Sequence, residues 1–130
     1  MASWLGGLRM EFLAAGTCDH QRESSGYRPS RSLRHLIQIR QPSCSAPCCR
    51  RPSETGDLDH VVPYDQGGRT CECNLHPPCR RHHRAKQADG WHVDHPEPGR
   101  LNWTLPHGSD RKWPGTDTAR SLIIEWTAQL

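Results

Sequence analysis

The sequence predicts a small α+β fold, ordered as helix, cysteine-rich loop, hairpin, helix and second hairpin, and held by bound metal more than by a large core. Three observations predict it. Apolar residues switch between helical and alternating spacing along the chain. Gly and Pro, 11 of each, punctuate those stretches as turn formers. Only 33% of the 130 residues are hydrophobic, with a single Phe, while seven Cys and nine His are present as potential ligands. A core this small needs a staple.

Residues 1–27 show no sustained period, and “CDHQRESSG” is polar, so they read as a disordered tail. In “RPSRSLRHLIQIRQPS”, Ser30 is placed to cap a helix; Leu33, Leu36, Ile37 and Arg40 recur at helical spacing, and Pro42 closes it. A cysteine-rich loop runs from Cys44 to about Gly56. “DLDHVVP” reads as a short strand with Leu58 and Val62 available for packing, stopped by Pro63. “YDQGGRT” is a loop and “CECNLH” a return strand. Pro77 and Pro78 end that strand and open a helix, since Pro is tolerated in a first turn. “CRRHHRAKQAD” continues that helix to Gly90, its C-terminal stop. “WHVDH” and “LNWTL” flank the turn-rich “PEPGR” as a second hairpin, with Trp91 and Trp103 packing across it. “DTARSLIIEWTAQL” fits a helix capped by Asp117, with Leu122, Ile123 and Trp126 on one side.

The net charge of +3 is modest, but its distribution is uneven: residues 1–56 carry eight Arg against four acidic groups, and “CRRHHRAK” concentrates positive charge again. That pattern suits a polyanion such as nucleic acid. No stretch approaches the roughly 20 apolar residues of a membrane span. Arg9 and Glu11 interrupt “MASWLGGLRMEFLAAG”, so it lacks the apolar run of a secretory signal. The expected location is the cytoplasm, where disulfides do not persist and clustered Cys and His read as metal ligands.

On a helix, positions three apart share a face, so Cys79 and His82 point one way while His83 is rotated by about 100°. “CSAPCC” supplies Cys44 with Cys48 or Cys49 as the other half of a four-ligand site. With Cys49, the set is Cys44, Cys49, Cys79 and His82, a Cys3His donor group suited to structural Zn2+. Cys71 and Cys73 are rival ligands. His83 is left over, and Asp57, Asp59 and His60 in “DLDHVVP” form the other polar cluster. A carboxylate beside an imidazole can bind a divalent ion or activate water.

The run “DLDHVVPYDQGGRTCECNLHPPCRRHHRAK”, residues 57–86, resembles the HNH endonucleases. More narrowly, “GYRPSRSLRHLIQIRQPSC”, “DLDHVVPYDQGGRT”, “CNLHPPCRRHHRAKQADGWHV” and “PEPGRLNWTLPHG” are similar to the C-terminal HNH module of long actinobacterial proteins. The resemblance implies a ββα-metal (His-Me finger) fold over residues 28–108, with 109–130 as an atypical tail. It implies His60 as general base, and Asp59 and His83 as ligands of a catalytic Mg2+, Mn2+ or Ni2+. Asn74 would brace the hairpin loop, and Cys44, Cys49, Cys79 and His82 would hold a structural zinc. Arg80, Arg81, Arg84 and Lys86 would grip DNA phosphates without reading bases. A monomer or weak homodimer is expected. Departures from the family pattern are Cys48 where Gly is expected, Gly56 where Cys often precedes “DLDH”, and Pro78 where Leu is usual.

Adjacent strand residues face opposite ways, so Asp59 and His60 can address one site only if the strand ends or bulges there. Two other readings stand beside the nuclease: a zinc-stapled nucleic-acid-binding module without cleavage activity, and a truncated relic.

Overall fold

The computed structural model describes residues 18–106 and the backbone of 123–127. Among them the chain forms a small α+β arrangement of two helices and two hairpins, the second extended by a further strand. Helix α1 spans Arg31–Arg40, β1 is Asp59–His60, β2 Leu75–His76, α2 Arg80–Lys86, β3 His92–Glu97, β4 Arg100–Thr104 and β5 Ile123–Thr127. None of the described helices is long and apolar enough to cross a membrane.

Helix α1 forms as its sequence predicts. The Ser30 hydroxyl accepts the Leu33 N–H at 3.2 Å, satisfying one of the donors a helix start leaves open. Leu33 and Ile37 are buried against Leu75, with Leu36 and Leu58 partly covering them. Arg40, on the same face, is also buried and reaches Glu72 at 3.2 Å, so an ion pair links α1 to the turn before β2. The second hairpin also forms, with Val93 opposite Trp103 and Asp94 opposite Asn102. Its register shifts between Asp94 and Glu97, where Pro96 has no N–H to donate to the ladder. Trp103 is fully buried with Leu101 and Val93, and Trp91 meets it edge-on with ring centroids 6.3 Å apart. The same indole lies edge-on to His76 at 5.9 Å and to His82 at 6.3 Å.

Four expectations are corrected. The first hairpin is much shorter than “DLDHVVP” and “CECNLH” suggest: only Asp59–His76 and His60–Leu75 pair, while residues 71–74 form a turn closed by the Asn74 and Leu75 N–H groups on the Cys71 carbonyl. Val61, not Val62, packs against the Trp103 cluster, and Val62 is exposed. Helix α2 stops at Lys86, where the Gln87 N–H closes on the Arg84 carbonyl. At the far end, Ile123–Thr127 pairs antiparallel with β4 as a strand where a helix was expected. A β-branched and aromatic run suits the free edge of a hairpin. The remainder of that expected helix, with Asp117 and Leu122, and residues 1–17 of the expected tail lie outside the described residues.

Residues 18–27 also differ from the expected disordered tail. The Ser24 N–H donates to the Thr70 carbonyl at 2.8 Å, Glu23 pairs with Arg69 at 2.7 Å, and the Tyr27 ring stacks on His60. A further close approach joins the Cys loop to α2. A Cβ on Gly56 would lie 2.7 Å from the Pro78 carbonyl oxygen, which accepts the Asp57 N–H at 3.0 Å.

Because Trp103 touches β2, α2 and its own hairpin, Trp103→Ala is expected to cost about 3–5 kcal/mol. Urea denaturation at fixed zinc concentration measures it.

Candidate metal and active centre

The loop after α1 turns sharply. The Cys49 N–H donates to the Ala46 carbonyl, and Cys48 between them takes a left-handed conformation, φ +61°. This is the position where the resembled pattern has Gly, the residue that adopts such a φ without steric cost. The turn leaves Cys48 exposed and brings Cys49 toward Cys44, which resolves the choice between them. Cys44, Cys49, Cys79 and His82 present ligand atoms within 4.8 Å of one another. The His82 Nδ1 lies 3.5 Å from Cys44 Sγ and 3.2 Å from Cys79 Sγ, and Cys44 Sγ accepts the Cys79 N–H at 3.1 Å. A second group with the same donors, Cys18, His20, Cys71 and Cys73, also falls within 4.8 Å. Both tetrads can hold a zinc-like ion.

Their electrostatics fit a cation. Burial pushes the Cys44 thiol up to about 12 against two amide donors, and burial with the thiols of Cys71 and Cys18 pushes Cys73 to about 12. Crowded thiolates repel one another, and a divalent ion at their centre removes that penalty. Cys79 shifts the other way: burial would raise it, but the amides of His82 and Arg81 and its Cys44 partner lower it. Burial, then the cations of Arg81 and Arg51, lower His82, which keeps its ring neutral and able to ligate.

His83, on the adjacent face, turns to the acidic cluster. Its Nδ1 lies 2.7 Å from Asp57 Oδ2 and its Nε2 3.3 Å from Asp59 Oδ1. Each ring nitrogen of His83 thus faces a carboxylate oxygen, one from Asp57 and one from Asp59. Asp59 Oδ2 accepts from Lys86 Nζ at 2.5 Å and faces His76 Nε2 at 3.3 Å. Burial alone would raise Asp59; the bonds and charges of His76 and Lys86 outweigh it and hold this carboxyl well below the usual range.

β1 comprises Asp59 and His60 alone, paired in regular register, and the Val61 N–H still donates to the Asn74 carbonyl at 2.8 Å. The His60 ring is buried beneath Tyr27, with centroids 5.3 Å apart and planes 16° apart. Its Nε2 lies 2.9 Å from Thr70 Oγ1, and that hydroxyl donates to the Tyr27 carbonyl at 3.4 Å. A hydroxyl already donating accepts from the ring, so the proton sits on Nε2 and the lone pair on Nδ1. Burial chiefly, and the Lys86 cation, lower His60, while Asp59 opposes them. Asn74 braces the loop between the strands: its Oδ1 accepts the Val62 N–H at 2.8 Å, and its amide donates to the carbonyls of Val62 and Arg69, both at 3.0 Å. Gly68 sits where any Cβ would collide with the Val62 carbonyl, so the loop folds tightly around Asn74.

Of the four expected phosphate holders, Arg81 and Arg84 are exposed, and Arg80 is exposed but pairs with Asp57 at 3.1 Å. Lys86 is turned inward onto Asp59 and the His60 carbonyl and is corrected out of that set. Sequence reasoning singles out neither His20 nor His76 and misses Cys18, Tyr27 and Thr70. The fully buried His76 bridges Ser45 Oγ, 2.7 Å from its Nδ1, to Asp59. The available signal for the second tetrad was a pair of one-residue spacings, “CDH” and “CEC”.

No family model matches the chain, and no solved structure matches it significantly. It is similar to the uncharacterized protein Rv3776 of Mycobacterium tuberculosis, 39% identical over 88 residues, which are 67% of this chain and 17% of that protein. Two further M. tuberculosis proteins, MT2160 and Rv2100, also uncharacterized, are each 37% identical over 83 residues, 63% of this chain and 15% of theirs. The chain thus spans less than a fifth of the length of these relatives.

Burial chiefly, with the neighbouring His76 and Arg40, lowers His95 to about 3; burial is also the chief cause that lowers His60 and His76, against the pull of Asp59. In the unfolded chain histidine titrates near roughly 6.5. These folded pKa values are depressed, so the unfolded state binds more protons below that pH. Stability is therefore expected to be full above about pH 6.5 and to fall progressively toward acid. His95→Gln, which keeps an acceptor for the Gly99 N–H, should flatten part of that fall in urea melts taken across the range.

Proposed function

We propose that this chain is an HNH-type endonuclease domain that hydrolyses phosphodiester bonds of DNA with a divalent ion, in a ββα-metal fold whose Cys44–Cys49–Cys79–His82 tetrad holds a structural zinc. The observation that carries the reading is the opposition of Asp59 Oδ1 and His83 Nε2 across 3.3 Å, with His83 oriented by Asp57 and His60 next in the chain to Asp59. A carboxylate and an imidazole held by a second carboxylate are a fitting pair for Mg2+, Mn2+ or Ni2+. When bound there, such an ion offsets charge on the scissile phosphate and its leaving oxygen. The zinc would supply a large share of the folding energy, since structural zinc in finger peptides is worth about 10–16 kcal/mol at neutral pH.

The protein's own groups do the rest. Thr70 holds His60 in the tautomer whose Nδ1 is unprotonated, and burial keeps the ring neutral. Nδ1 takes a proton from water as its oxygen bonds to phosphorus and the P–O bond to the leaving oxygen breaks. Arg81 and Arg84 on α2 supply exposed positive charge for the flanking phosphates, and Tyr27 and Tyr64, both exposed, offer faces on which an unstacked base can lie.

A second reading has its own observation. The Lys86 ammonium already rests on Asp59 Oδ2, and a cation fixed there favours a zinc-stapled module that binds nucleic acid without cutting it. Supercoiled plasmid separates the two. The nuclease nicks it with Mg2+, Mn2+ or Ni2+ and not with EDTA, and His60→Ala slows nicking by about a hundred- to ten-thousand-fold with zinc content unchanged. Binding without nicking in every metal establishes the module instead. In either case binding should weaken with salt, and Arg81→Ala should lower the salt slope by about one unit without changing sequence preference.

A further inference from the structure

We propose that Cys18, His20, Cys71 and Cys73 form a second zinc site, whose ion fastens the segment from Cys18 to Tyr27 across the β1–β2 connection. The site is separate from the tetrad on α2 and does not depend on the endonuclease reading.

The donor geometry is the first support. Cys18 Sγ lies 3.5 Å from Cys71 Sγ, and His20 Nδ1 lies 3.6 Å from Cys71 Sγ and 3.7 Å from Cys73 Sγ. A tetrahedron with ordinary Zn–S and Zn–N bonds has edges of about 3.8 Å between sulfurs and about 3.6 Å between sulfur and nitrogen. Three thiols and one imidazole are a closed structural donor set. The local backbone is shaped to deliver them. His20 takes φ +60°, which non-glycine residues rarely adopt, and its N–H donates to Cys18 Sγ at 3.4 Å. The tetrad on α2 shows the same two devices, a left-handed cysteine at residue 48 and amide donors to Cys44 Sγ.

The second support is what the segment lacks. Every residue from Cys18 to Pro29 is exposed or only partly buried, so no apolar side chain anchors it in a core. Its holds are polar or at its end: the Ser24 N–H on the Thr70 carbonyl, the Thr70 hydroxyl on the Tyr27 carbonyl, the Tyr27 ring on His60, and pairs of Glu23 with Arg69 and of the half-exposed Arg22 with Glu72. Such pairs contribute little, and ordering a dozen residues carries a large entropic cost. A ligand pair from each of two distant stretches supplies the missing constraint, and it acts beside the site: Thr70, which bonds His60, precedes Cys71, and Tyr27, which covers His60, ends the segment.

The test counts metal. Purified wild-type chain, stripped of loosely held ions, should carry two zinc per chain by atomic absorption. Cys18→Ser/His20→Ala should carry one, retain the buried-Trp fluorescence of the folded chain, and be cut by trypsin after Arg22 at least tenfold faster. His20→Cys, which preserves four donors, should return the count to two. One zinc per wild-type chain overturns the proposal, as does a count unmoved by the double variant. Loss of the Cys18 and Cys71 thiol hydrogens by intact mass, marking a disulfide in place of the ion, overturns it too. None of these readouts uses DNA, so a failed nuclease assay leaves the result standing.

Discussion

The Asp59 carboxylate is where the small elements of this fold meet. It projects from β1, faces His76 of β2, and receives His83 and Lys86 of α2. A ladder of two residue pairs and a helix of seven residues are each too short to persist alone. A carboxylate removed from water is costly unless it is surrounded by donors, so burying Asp59 obliges all three elements to assemble together. His76 extends the chain of contacts to Ser45, and through it to the loop that carries Cys44. The atoms that hold the fold and the atoms that would do chemistry are therefore largely the same.

How much of this was legible in the sequence follows from where each signal resides. Helix α1 announced itself because the cap, the 3.6-residue period and the closing Pro agree within one short window. The β3–β4 hairpin was equally plain, since the buried Leu101 and Trp103 alternate with half-buried polar neighbours. His82 and His83 separate onto two faces as helical rotation requires. The lengths of β1, β2 and α2 were not readable, because tertiary bonds end them: Asn74 caps the hairpin from its own loop, and the turn at residues 71–74 replaces most of the expected strand. Lys86 sits in a basic run that looks like a surface patch, and only the depth of Asp59 draws it inward. At the C-terminal end, “LIIEWT” satisfies helical and alternating spacing alike; the open edge of β4 decides between them.

The thiols of the α2 tetrad also belong to the core. Cys44 and Cys79 pack with Ala46, Val93, Leu101 and Trp103, while the other apolar cluster gathers Leu33, Ile37 and Leu75 around α1. In a chain with so few large apolar residues, the same side chains serve as packing atoms and as donors, and hydrophobic patterning alone underestimates what they contribute. The polar stretch at residues 18–27 illustrates the converse. It lacks any period, yet it lies ordered over the site through Ser24, Tyr27 and the Cys/His group.

Gly56 and Pro78 stand at two of the positions where this chain departs from the pattern it resembles, and they touch. A side chain at 56 would press on the backbone oxygen of 78, and that oxygen also anchors the Asp57 amide, so position 56 is not free to drift by itself. Any lineage exchanging the glycine for a bulkier residue must first, or at once, reshape the stretch entering the second helix.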